Sequence, residues 1–81
     1  MNDQNAARFI EMSGKTLLEI VRDEGPTPEE LDEVGVTGES IVRINPQGDI
    51  EIRRTTRWEI IGGLLGEFED RVKVATGLDW A

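Results

Sequence analysis

Three groups of residues have the side chains and spacings that chemistry would need. The first is Ser13-Gly14-Lys15-Thr16, the closing letters of a phosphate-binding loop. Such a loop needs a glycine five positions before the second one, and it frees backbone N–H groups between a strand and a helix to cradle phosphate. That position holds Phe9, and the apolar spacing on both sides is helical. The four residues are therefore expected inside a helix, with no cradle. The second group is Glu29, Glu30, Asp32 and Glu33. Calcium loops alternate their ligands around a fixed glycine and end on a glutamate. This run does neither, and reads as the first turn of a helix with a solvated acidic face.

The third group is Arg53, Arg54, Thr55, Thr56 and Arg57. It is expected where a strand passes into the N-terminus of a long helix, and free N–H groups and the helix dipole attract anions there. Three arginines at such an end would hold a phosphate or a partner's carboxylates. Against this, the same arginines can neutralise the chain's own acids, and Thr56 as a cap uses some of the free donors. Charge balance within the chain is the preferred reading, and anion or nucleic-acid contact is the alternative.

The rest of the inventory excludes more than it offers. Cysteine, histidine and tyrosine are absent from the 81 residues. That removes thiol chemistry, disulfides, the commonest metal ligand and the commonest general base. No enzyme activity, cofactor, metal or small-molecule substrate is expected. Length and acidity are those of acyl carrier proteins, but Ser40 follows Gly38-Glu39 rather than an aspartate and precedes a hairpin, so the likeness goes no further. The net charge is −8, which disfavours nucleic acid and anionic lipid as partners. It is unevenly spread. Residues 23–39 hold seven acids and no base, whereas Arg43, Arg53, Arg54 and Arg57 outnumber Asp49 and Glu51 in residues 43–57.

Two helices, a hairpin and a third helix are expected to position these groups, in the order α-α-β-β-α, an α+β fold of one domain over residues 1–81 with residues 1–4 as a disordered tail. A first helix over residues 3–23 places Ala6, Phe9, Ile10, Ser13, Leu17, Ile20 and Val21 on one face, with Glu11 and Lys15 paired opposite. Gly25-Pro26 ends it. Thr27-Pro28-Glu29-Glu30 opens a short second helix through a capping box, and Gly35 closes it. Residues 39–45 and 49–54 form a hairpin around Pro46-Gln47-Gly48, with Ile44 opposite Ile50, Val42 opposite Ile52 and Arg43 opposite Glu51. A long helix then carries Trp58, Ile61, Leu65, Phe68, Val72 and Ala75 at helical spacing, capped by Thr56 and Gly77, with Leu78 packing back.

That last helix holds Gly62, Gly63 and Gly66, each costing about 1 kcal/mol of helix propensity. Gly62 and Gly66 form a groove for close approach of another backbone. Ile60, Gly63, Leu64 and Val74 lie off the stripe and leave apolar surface for a partner. With no leader or membrane-crossing segment apparent, a cytoplasmic location is expected. The function expected is a small acidic protein-interaction module, binding a protein partner or itself as a homodimer through the C-terminal helix or the hairpin edge.

Overall fold

The computed structural model describes residues 8–80. Within it the order is β1 (Ile10–Ser13), α1 (Gly14–Val21), α2 (Pro28–Glu33), β2 (Ile41–Ile44), β3 (Asp49–Arg53), β4 (Trp58–Gly63) and α3 (Phe68–Thr76). The strands form one antiparallel sheet in the order β1-β2-β3-β4. The α+β class is as expected, but two strands stand where helix was expected and the helices are short. Residues 3–7 of the expected first helix, and the expected tail at 1–4, lie outside the described residues. No helix among the described residues is long and apolar enough to cross a membrane.

The central hairpin forms in the expected register: Val42 faces Ile52, Arg43 faces Glu51 and Ile44 faces Ile50. Two runs that alternate apolar and polar residues can bury one face only in this alignment. The turn is set by Asn45, whose Oδ1 accepts from the N–H groups of Gln47 at 3.0 Å and Asp49 at 2.9 Å. Gly48 sits at φ 89°, a conformation open to glycine at little cost.

On one side of β2, residues 10–13 are a strand rather than a helix. Ile10 points into the core while Glu11 stands outward opposite Arg43, so the expected pairing of Glu11 with Lys15 does not form. Ser13 ends the strand in extended conformation and caps α1, its Oγ accepting from the Thr16 N–H at 3.2 Å. The change from strand to helix is tight enough to require glycine next. The Gly14 N–H donates to the Ser40 carbonyl at 2.8 Å, and a Cβ on Gly14 would overlap the Thr37 carbonyl oxygen. At the far end of α1, Arg22 has φ 52° and ψ −118°, and the Glu24 N–H closes a turn onto the Val21 carbonyl. Those angles belong to the first corner of a type II′ turn, a glycine position.

Helix α2 has both expected ends. Thr27 and Glu30 exchange side-chain and backbone hydrogen bonds at 3.1 and 2.9 Å, with Pro28 at the first helical position. Gly35 at φ 90° lets the Val36 N–H reach back to the Leu31 carbonyl.

The long C-terminal helix does not exist as one element. Residues 58–63 are the fourth strand, and only Phe68–Thr76 is helical. A bulge explains the misleading spacing. Glu51 faces Ile60 while Ile50 faces Gly62, so Ile61 is an extra residue that breaks the two-residue alternation. Thr56 caps nothing, and the residue that opens α3, Glu67, makes no side-chain cap bond. The glycines do permit close approach, but in a strand and a turn. Pro26 lies where a Cβ of Gly62 would be, and the Glu24 carboxylate crowds Gly66, which has φ 70°.

The helices cover one face of the sheet. Leu17, Ile20, Val21, Leu31 and Val72 meet Val42, Ile44, Ile50 and Ile52, all nearly or fully inaccessible. Arg71 ties α3 to this layer, donating from Nε to the Ile20 carbonyl at the end of α1 (2.7 Å) and from a terminal nitrogen to the Leu65 carbonyl (3.0 Å), and pairing with Glu24. Gly77 ends α3 in the left-handed conformation, as expected. Leu78 does not pack back, being largely exposed; Trp80 does, with its Nε1–H donating to the Ile44 carbonyl at 3.2 Å and its ring edge-on to Phe68.

Two substitutions test these junctions by urea unfolding. Gly14→Ala should cost about 3 kcal/mol or more, since it forces the Thr37 backbone away. Arg22→Gly should stabilise the fold by about 1 kcal/mol by relieving the positive φ.

Candidate interaction surface

The sheet has a second face, which none of the described helices covers. The alternation that buries Ile10, Val42, Ile44, Ile50 and Ile52 sends the intervening side chains outward. Glu11, Arg43, Glu51 and Ile60 line up in one row across all four strands. Arg53 and Trp58 face each other in the next row, and Ile41, two residues from Arg43, points the same way.

Arg43 organises this face. Its guanidinium carbon lies 3.7 Å from the ring centre of Phe9 and 4.1 Å from that of Trp58, so the group is held between two aromatic rings. Its Nε and one terminal nitrogen donate to the same Glu51 oxygen at 2.8 and 2.7 Å. Each cation–π contact contributes about 0.5–2 kcal/mol depending on desolvation, and a charge-assisted hydrogen bond adds to that. The planar fork is what permits stacking and bonding together; an ammonium group could not do both. One side chain on β2 thereby links the residue leading into β1, a residue on β3 and a residue on β4.

Two exposed aliphatic side chains flank this stack. Ile60 is 65% exposed and Ile41 41% exposed. Asp49 also belongs to this face, held by the Asn45 amide at 3.0 Å. The strand residues on the face therefore carry three acids against two arginines, close to neutral on a chain of net charge −8. Aromatic rings, an arginine and aliphatic flanks are the composition of protein-interface centres.

The residues expected to form an interaction face do not come together. Ile60 and Gly63 lie on β4, with Gly63 opposite Asp49. Leu64 is buried in the core. Val74 is 87% exposed, but on α3, in the layer on the other side of the sheet. The hairpin offers no free edge either, because β2 and β3 are the two interior strands. The edges are β1 and β4.

The arginine group is likewise divided, because the expected helix N-terminus is a strand connection. The Arg54 N–H closes a turn onto the Arg57 carbonyl at 2.7 Å, with Thr55 and Thr56 exposed at its tip. Arg54 turns to the helical side, where it pairs with Glu59 at 2.7 Å and donates to the Val34 carbonyl at the end of α2 at 2.8 Å. Arg53 faces the open side. Helical N–H donors that would have joined them in holding an anion are absent from residues 55–57. At Ser13-Gly14-Lys15-Thr16 the correction runs differently: a strand does precede the helix. The N–H groups of Gly14, Lys15 and Thr16 nevertheless donate to Ser40, Gly38 and Ser13 of the same chain. The cradle is filled by the protein itself. Among the described residues, no group of three or more carboxylates is placed to hold a metal ion.

Sequence reasoning missed Phe9, Ile41, Arg43, Glu51 and Trp58 as one surface. The usable signal was the outward alternation of Phe9 and Glu11 around Ile10, continued by Trp58 and Ile60 around Glu59. With the geometry described, comparison of the chain with protein-family models, curated proteins and solved structures finds no match.

Glu59 is held below its ordinary titration by its arginine neighbours. The Arg54 hydrogen bond and charge, with a smaller contribution from Arg57, keep it under the ordinary 4.5. A carboxyl lowered on folding stabilises the native state above its unfolded pKa, and that contribution is lost as pH falls through the folded value. Carboxyl-carbon NMR should place the Glu59 midpoint below 4.5, and Arg54→Met should move it back up. On the open face, Arg43→Lys should lower the unfolding free energy by about 1–2 kcal/mol in urea melts, because lysine cannot both stack and bond to Glu51.

Proposed function

We propose that this chain is a non-enzymatic protein-interaction module that associates with itself through the open face of its sheet. The observation that carries this reading is the arginine held between Phe9 and Trp58, flanked by exposed Ile41 and Ile60, on the side the helices leave bare. Stacked aromatic–arginine groups are costly to leave in water and supply most of the affinity at interface centres. Charge supports the same reading. Two copies each carrying −8 repel everywhere except where the acids are balanced, and this face is such a place. Size supports it too, since a chain of this length buries only about 60% of its unfolded surface and gains from a second copy. The wider apolar and acidic surfaces need no role of their own in this account.

The test is sedimentation velocity from 5 to 500 μM. The wild type should shift from monomer to dimer across that range. Ile60→Asp and Ile41→Asp, at exposed positions where the fold tolerates change, should remain monomeric, and Val74→Asp on α3 should behave as wild type. A wild type that stays monomeric at every concentration would remove the proposal.

A further inference from the structure

Resting on the self-association reading above, the arrangement of charge on the open face also points to how two copies would meet. Five charged residues stand on this face: Glu11, Arg43, Asp49, Glu51 and Arg53. Three are already satisfied within the chain. Arg43 and Glu51 bond to each other, and Asp49 is held by Asn45. The remaining two, Glu11 and Arg53, are exposed, opposite in sign, and have no ion-pair or hydrogen-bond partner among the described residues. They stand on β1 and β3, one strand to either side of β2.

We infer that the partner on this face is a second copy related by a two-fold axis, packed sheet against sheet, with Glu11 of each copy paired to Arg53 of the other. A face-to-face two-fold dimer is self-complementary, so any contact between residues i and j occurs twice. An axis lying over β2 lays β1 of one copy above β3 of the other. Stacked sheets are inclined to one another because each is twisted. Of the two senses of tilt, one carries Glu11 past Glu51 toward Asp49 and the other toward Arg53; charge favours the second, which replaces a repulsion with an attraction. The same operation brings β4, with Ile60, over the Phe9 end of β1. One unpaired acid and one unpaired base flanking an apolar centre thus become two interchain ion pairs at its rim.

The area is consistent with such an assembly. Four strands about 4.8 Å apart and about five residues long make a patch roughly 19 by 17 Å. With the axis over β2 three of the four strands overlap, so the flat area over both copies is on the order of 500 Å² before side-chain relief, a small interface of the weak, transient kind. The dimer should accordingly be of micromolar strength. Salt should weaken it, because the pairs sit at the rim within reach of solvent. A partner of one strong charge would find no matching field on this nearly neutral face.

Charge exchange tests the inference. Glu11→Arg and Arg53→Glu each place like charges against each other twice per dimer. Each alone should weaken dimerisation at least tenfold by sedimentation equilibrium. The double variant Glu11→Arg/Arg53→Glu restores opposite signs in trans and should recover the wild-type dissociation constant to within about threefold. An equimolar mixture of the two single variants gains no homodimer, but each heterodimer regains both attractive pairs. Measured where every form is monomeric, unfolding midpoints should fall only slightly, since neither side chain has a partner among the described residues and Glu11→Arg adds only a like-charged neighbour to Arg43. Single variants that dimerise as well as wild type would overturn this pairing. So would a double variant no better than the singles. In either case a wild type that dimerises and is dispersed by Ile60→Asp leaves the self-association reading standing. A wild type monomeric throughout overturns both.

Discussion

Everything in this small domain depends on the alignment of the two central strands, which Arg43 opposite Glu51 marks. A slip of one residue in β2 would turn Val42 and Ile44 to water and drive Arg43 under the helices, and a slip in β3 would do the same with Ile50, Ile52 and Glu51. Burying one such charge without a partner costs several kcal/mol, comparable to the whole stability of such a chain. The pair thus acts as a registration mark. Once it is set, Arg43 can reach from β2 to Trp58 on β4 and Phe9 at β1, so the outer face closes over the same residue that aligned the inner one. Architecture and candidate interface share one cause.

The rest of the fold shows how a chain without disulfides holds its ends. Two arginines serve the carbonyl ends of helices: Arg54 at Val34 after α2, and Arg71 at Ile20 in the last turn of α1. Cations at helix C-termini are favoured by the dipole, and a guanidinium also satisfies carbonyls left without helical partners. Both side chains then bind a carboxylate, Glu59 and Glu24 respectively. Trp80 fastens the C-terminal segment to the hairpin through Ile44. These long-range polar contacts tie the peripheral elements to the sheet. Of the two arginines, Arg54 is thereby drawn away from the other members of the arginine group around residues 53–57.

Legibility tracked how local the determinant was. The hairpin could be read because both strands alternate cleanly and Asn45, Pro46 and Gly48 fit one turn. The caps at Thr27, Gly35 and Gly77 could be read because capping is a matter of a few adjacent residues. Strand β1 could not, since four residues leading directly into a helix extend that helix's own apolar spacing: Phe9, Ile10, Ser13 and Leu17 fit one helical face. Strand β4 was hidden by its bulge, which inserts Ile61 and turns a two-residue rhythm into the three-residue step from Trp58 to Ile61. The glycines at 62, 63 and 66 were the contrary signal, correctly marking close backbone approach while belonging to a strand and a turn. Of the candidate surface, Ile60 was named beforehand as an interaction residue and Arg53 as an anion contact, and the hairpin register already set Arg43 opposite Glu51 and Ile41 opposite Arg53. The others could not be grouped until four strands, two of them unrecognised, placed them side by side.

On this proposal, the face organised by Arg43 is the one that meets another molecule of this chain. The chain contains two tryptophans, one on each side of the question. Trp58 is half-buried on the open face, and Trp80 is buried beneath α3. Labelling both with 5-fluorotryptophan gives two fluorine resonances whose dependence on protein concentration can be followed in one sample. The account predicts that the Trp58 resonance moves along a saturating curve between micromolar and millimolar protein while Trp80 stays fixed. A Trp58 resonance that does not move over that range, or a shift confined to Trp80, would contradict it.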